Sequence, residues 1–497
     1  MFLQENSNFP PDDWTYWYDK YDEYCSWYSG DPNELLRFYS TKKPIIYSQN
    51  IFWQKIRETE DDNAIHMPAA GDIASMSSNL LFSEKPEFNF DKKTVGGERL
   101  KLFIEDNNFY SLLLEAAEMA AALSGVFLKL EIDTRLSKTP IVSIITPLAA
   151  FPTFIRGRLW EVLFYREVKT EKGGTVVYRL FENRKRTVDG FTIEYKLYKG
   201  TKDKTGKIID INAIEETASL GLVDIVYNKV DGLGVVYVPN MRPNRLQPGS
   251  PLGINDYAGV IGMMDSLDLS YSSWIRDIEL GMGQIFVDEE LLQREETSIF
   301  GTEKSVLNKF SKFQKCFMKL NLSNQRMSGT NVKPIESVQF EMRTDEHLRT
   351  CEYFFSEIVS QCGYSPSGFG LDNGGNAESG RALRMKERKS LLTREKKSSY
   401  WLQAINKLFM QVQQLDNSAF PIFYNLEDVK TELQDSIIVD SGELSETIRN
   451  LDQAMAISTL LKVKMQHPDW ADEDIDAEVK RINEEKGVEK SVFDVET

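Results

Sequence analysis

Apolar residues along the chain keep a helical period, switch to a period of two near position 125, and return to the helical one near position 257. Between Asp12 and Ser40, Trp14, Tyr16, Trp17, Tyr18, Tyr21, Tyr24, Trp27 and Tyr28 recur mostly at spacings of three and four. That spacing predicts an amphipathic helix with an aromatic face, a stripe that is usually core and sometimes docks a neighbouring subunit. Ile65–Phe88 reads as a helix ending before Pro86, and Asp106–Ser124 as another with Gly125 as its cap. From Gly125 to about Val238 the runs VFLKLEID, PIVSIIT, RLWEVLFYREV, TVVYRLF and FTIEYKLYK predict an antiparallel sheet broken by glycine turns.

The Pro- and Asn-rich stretch Val238–Gly253 ends that sheet. Tyr257–Leu280 then predicts a helix roughly 36 Å long. A small mixed segment, Met282–Met342, separates it from a second helix, Thr344–Cys362. Beyond the loop that follows, a long basic helix runs to about Asp416, then strand-like FPIFYN and SIIVD, then a helical region Ser445–Glu485 with an acidic tail. The fold class is α+β.

The connection Gly363–Gly380, GYSPSGFGLDNGGNAESG, holds six of the 30 glycines and no Lys or Arg. So long a connection between two helices usually has a task. Its glycines (Gly363, Gly370, Gly374 and Gly375 among them) give mobility, Asp372 is one of its two acids, and Tyr364 and Phe369 are candidate anchors that set where it rests.

Little in the chain points to catalysis. GTKDKTGK at Gly200–Lys207 imitates a phosphate loop, but its spacing is wrong, Ile208 replaces the magnesium-binding Ser or Thr, and it joins strand patterns; it reads as a hairpin turn. His66, His347 and His467 lie far apart, so a histidine metal site or triad is not expected, and no cofactor is. Asp469–Lys480 lacks the glycine of a calcium loop and reads as a solvated helix start. A nucleic-acid enzyme would need clustered carboxylates at strand ends, and none stands out. Cys25, Cys316, Cys351 and Cys362 are scattered, as expected of reduced thiols. Met1–Phe9 has no apolar signal core, and Leu112–Leu130 is too short and charged to span a bilayer, so a soluble chain is expected.

Charge changes the picture because it is patterned. The chain carries −17, which argues against a tight grip on nucleic acid over its whole surface. Yet Glu378–Lys407 sets nine bases against three acids, with Arg381, Arg384 and Arg388 on one helical face. Lys304–Lys333 holds six lysines and Arg326 and no acid, whereas Ser441–Thr497 carries fourteen acids and seven bases. Each run alone is most simply a solvated face.

Four segments together resemble the portal proteins of long-tailed bacteriophages, of the type infecting Gram-positive hosts. They are IHMPAAGDIASMSSNLLFSEKPEF, LLLEAAEMAAALSGVFLKLEID, the run Val238–Leu292, and GYSPSGFGLDNGGNAESGRALRMKERKSLLTREK. The resemblance implies a ring-forming subunit with a wing at 1–256, a first stem helix at 257–283 and a small α/β clip at 284–342. It further implies a second stem helix at 343–362, a tunnel loop at 363–379, a wing portion with the long helix at 380–440 and a helical crown at 441–497. The implied assembly is a dodecamer at one capsid vertex of the virion, formed in the host cytoplasm, through which double-stranded DNA is packaged and ejected. Implied partners are the terminase large subunit, a head–tail connector, the major capsid protein and scaffold. Arg381, Arg384 and Arg388 would face DNA, and Lys304, Lys309, Lys312 and Lys315 would meet a protein partner in the clip. The aromatic Asp12–Ser40 helix is the first candidate for a ring contact. The alternative is a minor head or capsid-vertex protein that conducts no DNA.

Overall fold

The structure, a computed structural model, describes residues 2–41, 52–59, 64–281, 284–288, 317–320, 335–338, 343–371, 385–433, 441–467, 470 and 472–485. It groups into two units, 1–372 with 389–433, and 373–388 with 434–497.

In the first unit the aromatic run makes two helices, α1 (Thr15–Tyr28) and α2 (Pro32–Thr41). The break falls where Asp31 caps a new start: its carboxylate accepts from the Asn33 amide at 2.9 Å, with Pro32 in the first helical position. Trp17, Tyr21, Tyr24 and Trp27 are buried against α3 (Phe52–Thr59), α4 (Ala69–Phe82) and residues of two later helices. Four of the eight aromatics are therefore used inside their own chain, as the core reading of the stripe expects, while Tyr16 stays half exposed. Helices α5 (Val95–Asp106) and α6 (Phe109–Leu123) follow, with strand β1 (Glu87–Asn89) before them. The spacing pattern missed α5. Ser124, not Gly125, takes the left-handed position after α6, and Gly125 already belongs to the next strand.

The period-two region builds two antiparallel sheets. One has three strands, β2 (Gly125–Glu131) between β3 (Ile141–Ile145) and β10 (Val235–Pro239). The other runs β4 (Ala150–Ile155), β5 (Arg158–Glu171), β6 (Val176–Arg186), β7 (Gly190–Thr201) and β8 (Lys204–Ile209). Strand β9 (Ile225–Asn228) also pairs with β7, and α7 is the short helix Glu215–Ala218. The false phosphate loop is the β7–β8 hairpin, as its spacing indicated.

A buried ionic network ties the sheets together. Lys129 of β2 donates to Glu182 of β6 at 2.9 Å, and Arg184 donates to Glu182 and to the Leu130 and Gly234 carbonyls. Burial alone would raise the Glu182 carboxyl, but Arg184 and Lys129 reverse it and hold it at about 2.

After β10 come α8 (Ile261–Gly281) and a small mixed sheet. In that sheet β11 (Gln284–Asp288) pairs parallel with β12 (Phe317–Leu320) and antiparallel with β13 (Ile335–Val338). Helix α9 (Thr344–Cys362) matches its expected bounds; α10 spans Arg388–Ala419, and residues 380–384 of the expected long helix lie outside the described residues. FPIFYN is not a strand: the Asn417 side chain bonds both the amide and the carbonyl of Tyr424 and turns the backbone away from pairing. The strand is instead β14 (Lys430–Glu432), antiparallel to β1, while SIIVD lies outside the described residues.

The second unit is helical, with α11 (Ser441–Gln453), α12 (Thr459–Gln466) and α13 (Asp472–Glu485). Ser458 caps α12, Val463 and Ile475 are buried, and Lys462 pairs with Asp452.

Because its folded carboxyl lies below the ordinary 4.5, Glu182 contributes stability that is present above that value and lost as pH falls toward about 2. Glu182→Gln should cost about 3 kcal/mol near neutral pH. Melting temperatures of both proteins should converge as pH falls from 4.5 toward about 2, and a pH-independent gap would remove this account.

Candidate functional site

Helices α8 and α9 pack side by side in opposite directions, and polar clusters pin both ends. At one end Asp277 of α8 accepts from Arg343 at 2.7 Å and contacts His347 of α9 at 2.9 Å, with Trp274 stacked on that imidazole. Between the ends Met264 and Leu267 meet Cys351, Ile358 and Val359 in the core.

At the other end the chain leaves α9 through Gly363, whose φ of 95° is a left-handed helix cap. A Cβ there would stand 2.8 Å from the Thr393 hydroxyl, so both conformation and space call for glycine. That hydroxyl donates to the Gly363 carbonyl at 2.6 Å. Tyr364 is fully buried. Its hydroxyl donates to Asp256 at 2.7 Å, just before α8, and accepts from Lys397 of α10 at 3.0 Å. Lys397 also donates to both Asp256 oxygens, at 2.8 and 2.6 Å, and to Ser77 of α4 at 2.6 Å. Asn240 supplies Asp256 with a further donor at 2.7 Å.

Burial pulls the Lys397 ammonium down and Asp256 opposes it; burial and Asp256 both push the Tyr364 phenol up. The Cys362 thiol is pushed up by burial too, away from the thiolate a nucleophile requires. This is a cluster that holds four segments in place. Among the described residues no group of His, Cys, Asp and Glu could hold a metal ion, and no helix is long and apolar enough to cross a membrane.

The glycine connection thus has an ordered root. Ser365 donates through its amide to Ser390, Pro366–Phe369 forms a 3₁₀ turn, and Phe369 packs edge-on against Phe355 at 6.0 Å. Both aromatics named from the sequence lie at this root, and Gly370 closes the turn in the left-handed region. Asp372, Gly374, Gly375, Arg381 and Arg384 lie outside the described residues, as do Lys304, Lys309, Lys312 and Lys315. Arg388 is exposed at the start of α10. The solvated reading of the basic run needs correction at two positions. Arg394 is buried, donating to the Leu80 carbonyl at 2.6 Å near the end of α4, and Lys397 is buried on Asp256.

Sequence reasoning missed a second clamp, made by Asp265 and Asp268 on α8. Asp265 accepts from the Phe52 and Trp53 amides, and burial raises its carboxyl to about 6. Asp268 takes the Trp53 indole, His66 and the Met67 amide, each at 2.8 Å. Two acids three residues apart, one turn from the buried residues of an apolar helix, were the available signal.

The geometry is one of buried polar clusters that fix a helix pair and the root of a glycine loop. A sequence model of the family described as "Phage portal protein, SPP1 Gp6-like" matches residues 10–491. The chain belongs to that family: it is a phage portal protein, of a structural and non-enzymatic family. A search of curated proteins found no match.

Lys397→Met would leave Asp256 buried without its cation, an expected loss of about 3–5 kcal/mol in urea unfolding. Tyr364→Phe removes one hydrogen bond to that carboxylate and should cost about 1–2 kcal/mol. Hydrogen exchange at Ser365 should speed up in both, and unchanged protection would show that the cluster does not fix the loop root.

Proposed function

We propose that this portal protein assembles into a ring, most simply a dodecamer, at one capsid vertex. It assembles in the host cytoplasm and conducts double-stranded DNA during packaging and ejection. The observation that carries the reading is the family match over residues 10–491. In this reading α8 and α9 are the stem, the sheet of β11–β13 belongs to the clip, residues 363–379 form the tunnel loop, α10 is the long wing helix and 441–497 the crown.

Three features support it. An acidic chain makes a conduit whose wall repels phosphate, so DNA slides without sticking. The loop bears no cation and would act on DNA by shape and mobility, its root held by Tyr364 and Phe369. Arg381, Arg384 and Arg388 just beyond it would form a limited collar of salt-sensitive phosphate contacts. Arg394 and Lys397 are not part of that collar, because they serve the interior. The clip, with Lys304, Lys309, Lys312 and Lys315, would dock a protein partner such as the terminase large subunit or a head–tail connector. The major capsid protein and scaffold would surround the ring.

Negative-stain microscopy of the purified chain, alone and co-expressed with scaffold, is expected to show rings with a central channel; monomers under both conditions would overturn the reading. Arg381→Glu with Arg388→Glu should leave rings intact but impair DNA packaging or retention. Normal packaging by that pair would remove the collar and leave the portal assignment standing.

A further inference from the structure

An unexplained concavity in the first unit lies beside α10, where the ends of β5 and β10 and the segment 242–251 form the other wall. It encloses about 500 Å³ and adjoins an open hollow of about 530 Å³, the two sharing Phe154 and Pro251 in their walls. The two hollows are therefore neighbours on one face of the first unit.

Its chemistry is uneven in an informative way. Arg158, Arg242 and Lys407 line it and form no ion pair among the described residues. The cation that is paired, Arg186, is held by Asp231 on the same wall. The floor is apolar, with Leu159, Val236 and Ala404. Gln411, only 6% exposed, lines the groove, and its Oε1 has no hydrogen-bond partner. Gly232 makes room for that amide: its φ is 127°, and a Cβ would collide with the Gln411 Nε2. A buried carbonyl oxygen left without a donor costs about 1–3 kcal/mol, so a ligand that brings an N–H has a place to put it.

We propose that this groove receives an acidic, extended segment of a second copy of the chain. Carboxylates would meet Arg158, Arg242 and Lys407, aliphatic stems would cover the floor, and a backbone N–H would donate to Gln411 Oε1. A nucleic-acid strand fits less well, since a phosphodiester offers no donor to Gln411 and the Asp231 carboxylate faces it on the rim. A second copy fits because the chain carries 76 acids against 59 bases. Identical acidic copies repel unless unpaired cations are brought to the contact, and here three of them line one hollow. A groove on one copy holding a different surface of the next is a head-to-tail contact, the kind that closes into rings. The inference rests on the ring reading above and adds the surface that closes the ring.

Two measurements on the full-length chain test it. In the first, a photo-crosslinking residue replaces Gln403 on the groove wall, and crosslinked peptides are mapped with and without added duplex DNA. The expected product joins this position to an Asp- or Glu-rich peptide of another copy. In the second, Arg158→Glu with Lys407→Glu should raise the protein concentration for half-assembly by about tenfold or more with an unchanged melting temperature. Raising salt should weaken the wild type toward the variant. Rings that form normally in the double variant, with no intermolecular crosslink at 403, overturn the groove proposal and leave the ring reading intact. Crosslinked dimers without rings would do the reverse. A crosslink to DNA in place of protein would overturn the choice of occupant.

Discussion

The buried contact between Lys397 and Asp256 is the constraint on which the described first unit depends. It lies where four segments meet: the end of the Asn-rich stretch, helix α4, the root of the glycine connection and the middle of α10. An ion pair so placed is seldom a net source of stability, because desolvating both charges offsets most of their attraction. Its effect is specificity. Only one arrangement gives the ammonium Ser77, Tyr364 and both carboxylate oxygens at once, so alternative packings of α10 leave a charge stranded. The Gly363 cap, the Tyr364 burial and the Ser365–Ser390 bond all rely on that register.

The same economy governs charge elsewhere in the chain. Among the described residues, several interior cations are matched by carboxylates: Lys129 and Arg184 by Glu182, Lys397 by Asp256, Arg99 by Asp416. Arg179 spreads its guanidinium over Phe9 at 4.0 Å and donates to the carbonyls of the β7–β8 turn, fastening the N-terminal segment to the six-stranded sheet. In a chain of 76 acids against 59 bases, cations left unpaired at the surface have disproportionate weight.

Much of the architecture was legible in the sequence. The long alternating runs of β5, β6 and β7 and the bounds of α9 follow from periodicity and capping alone. Strand β4 escaped because Pro152 breaks its pattern, yet as an edge strand it tolerates the missing amide. The α1–α2 break escaped because aromatic spacing runs on toward the Asp31 cap. The inward turn of Arg394 and Lys397 escaped because charge identity suggested solvent. Their positions did carry a signal: Ser390, Thr393, Arg394, Lys397, Trp401, Ala404 and Leu408 form one helical stripe, which the apolar residues alone trace only from Trp401 onward. The Asp265–Asp268 clamp was hardest, since its partners, backbone amides among them, lie some two hundred residues away. Of the loop residues named from the sequence, Tyr364 is buried and Phe369 packs on Phe355 at the ordered root.

The two pinned ends of the α8–α9 pair have a mechanical meaning. A pair of helices joined only by apolar contact can slide, since dispersion is indifferent to small displacements along the axis. Hydrogen bonds are not, because their strength falls steeply with distance and angle. With Asp277 gripping Arg343 and His347 at one end, and Asp256 gripping Tyr364 at the other, axial shear of one helix against its neighbour must break both sets together. The pair therefore behaves as a stiff strut: a push delivered at the β11–β13 end reaches the glycine turn as displacement instead of being absorbed as slip.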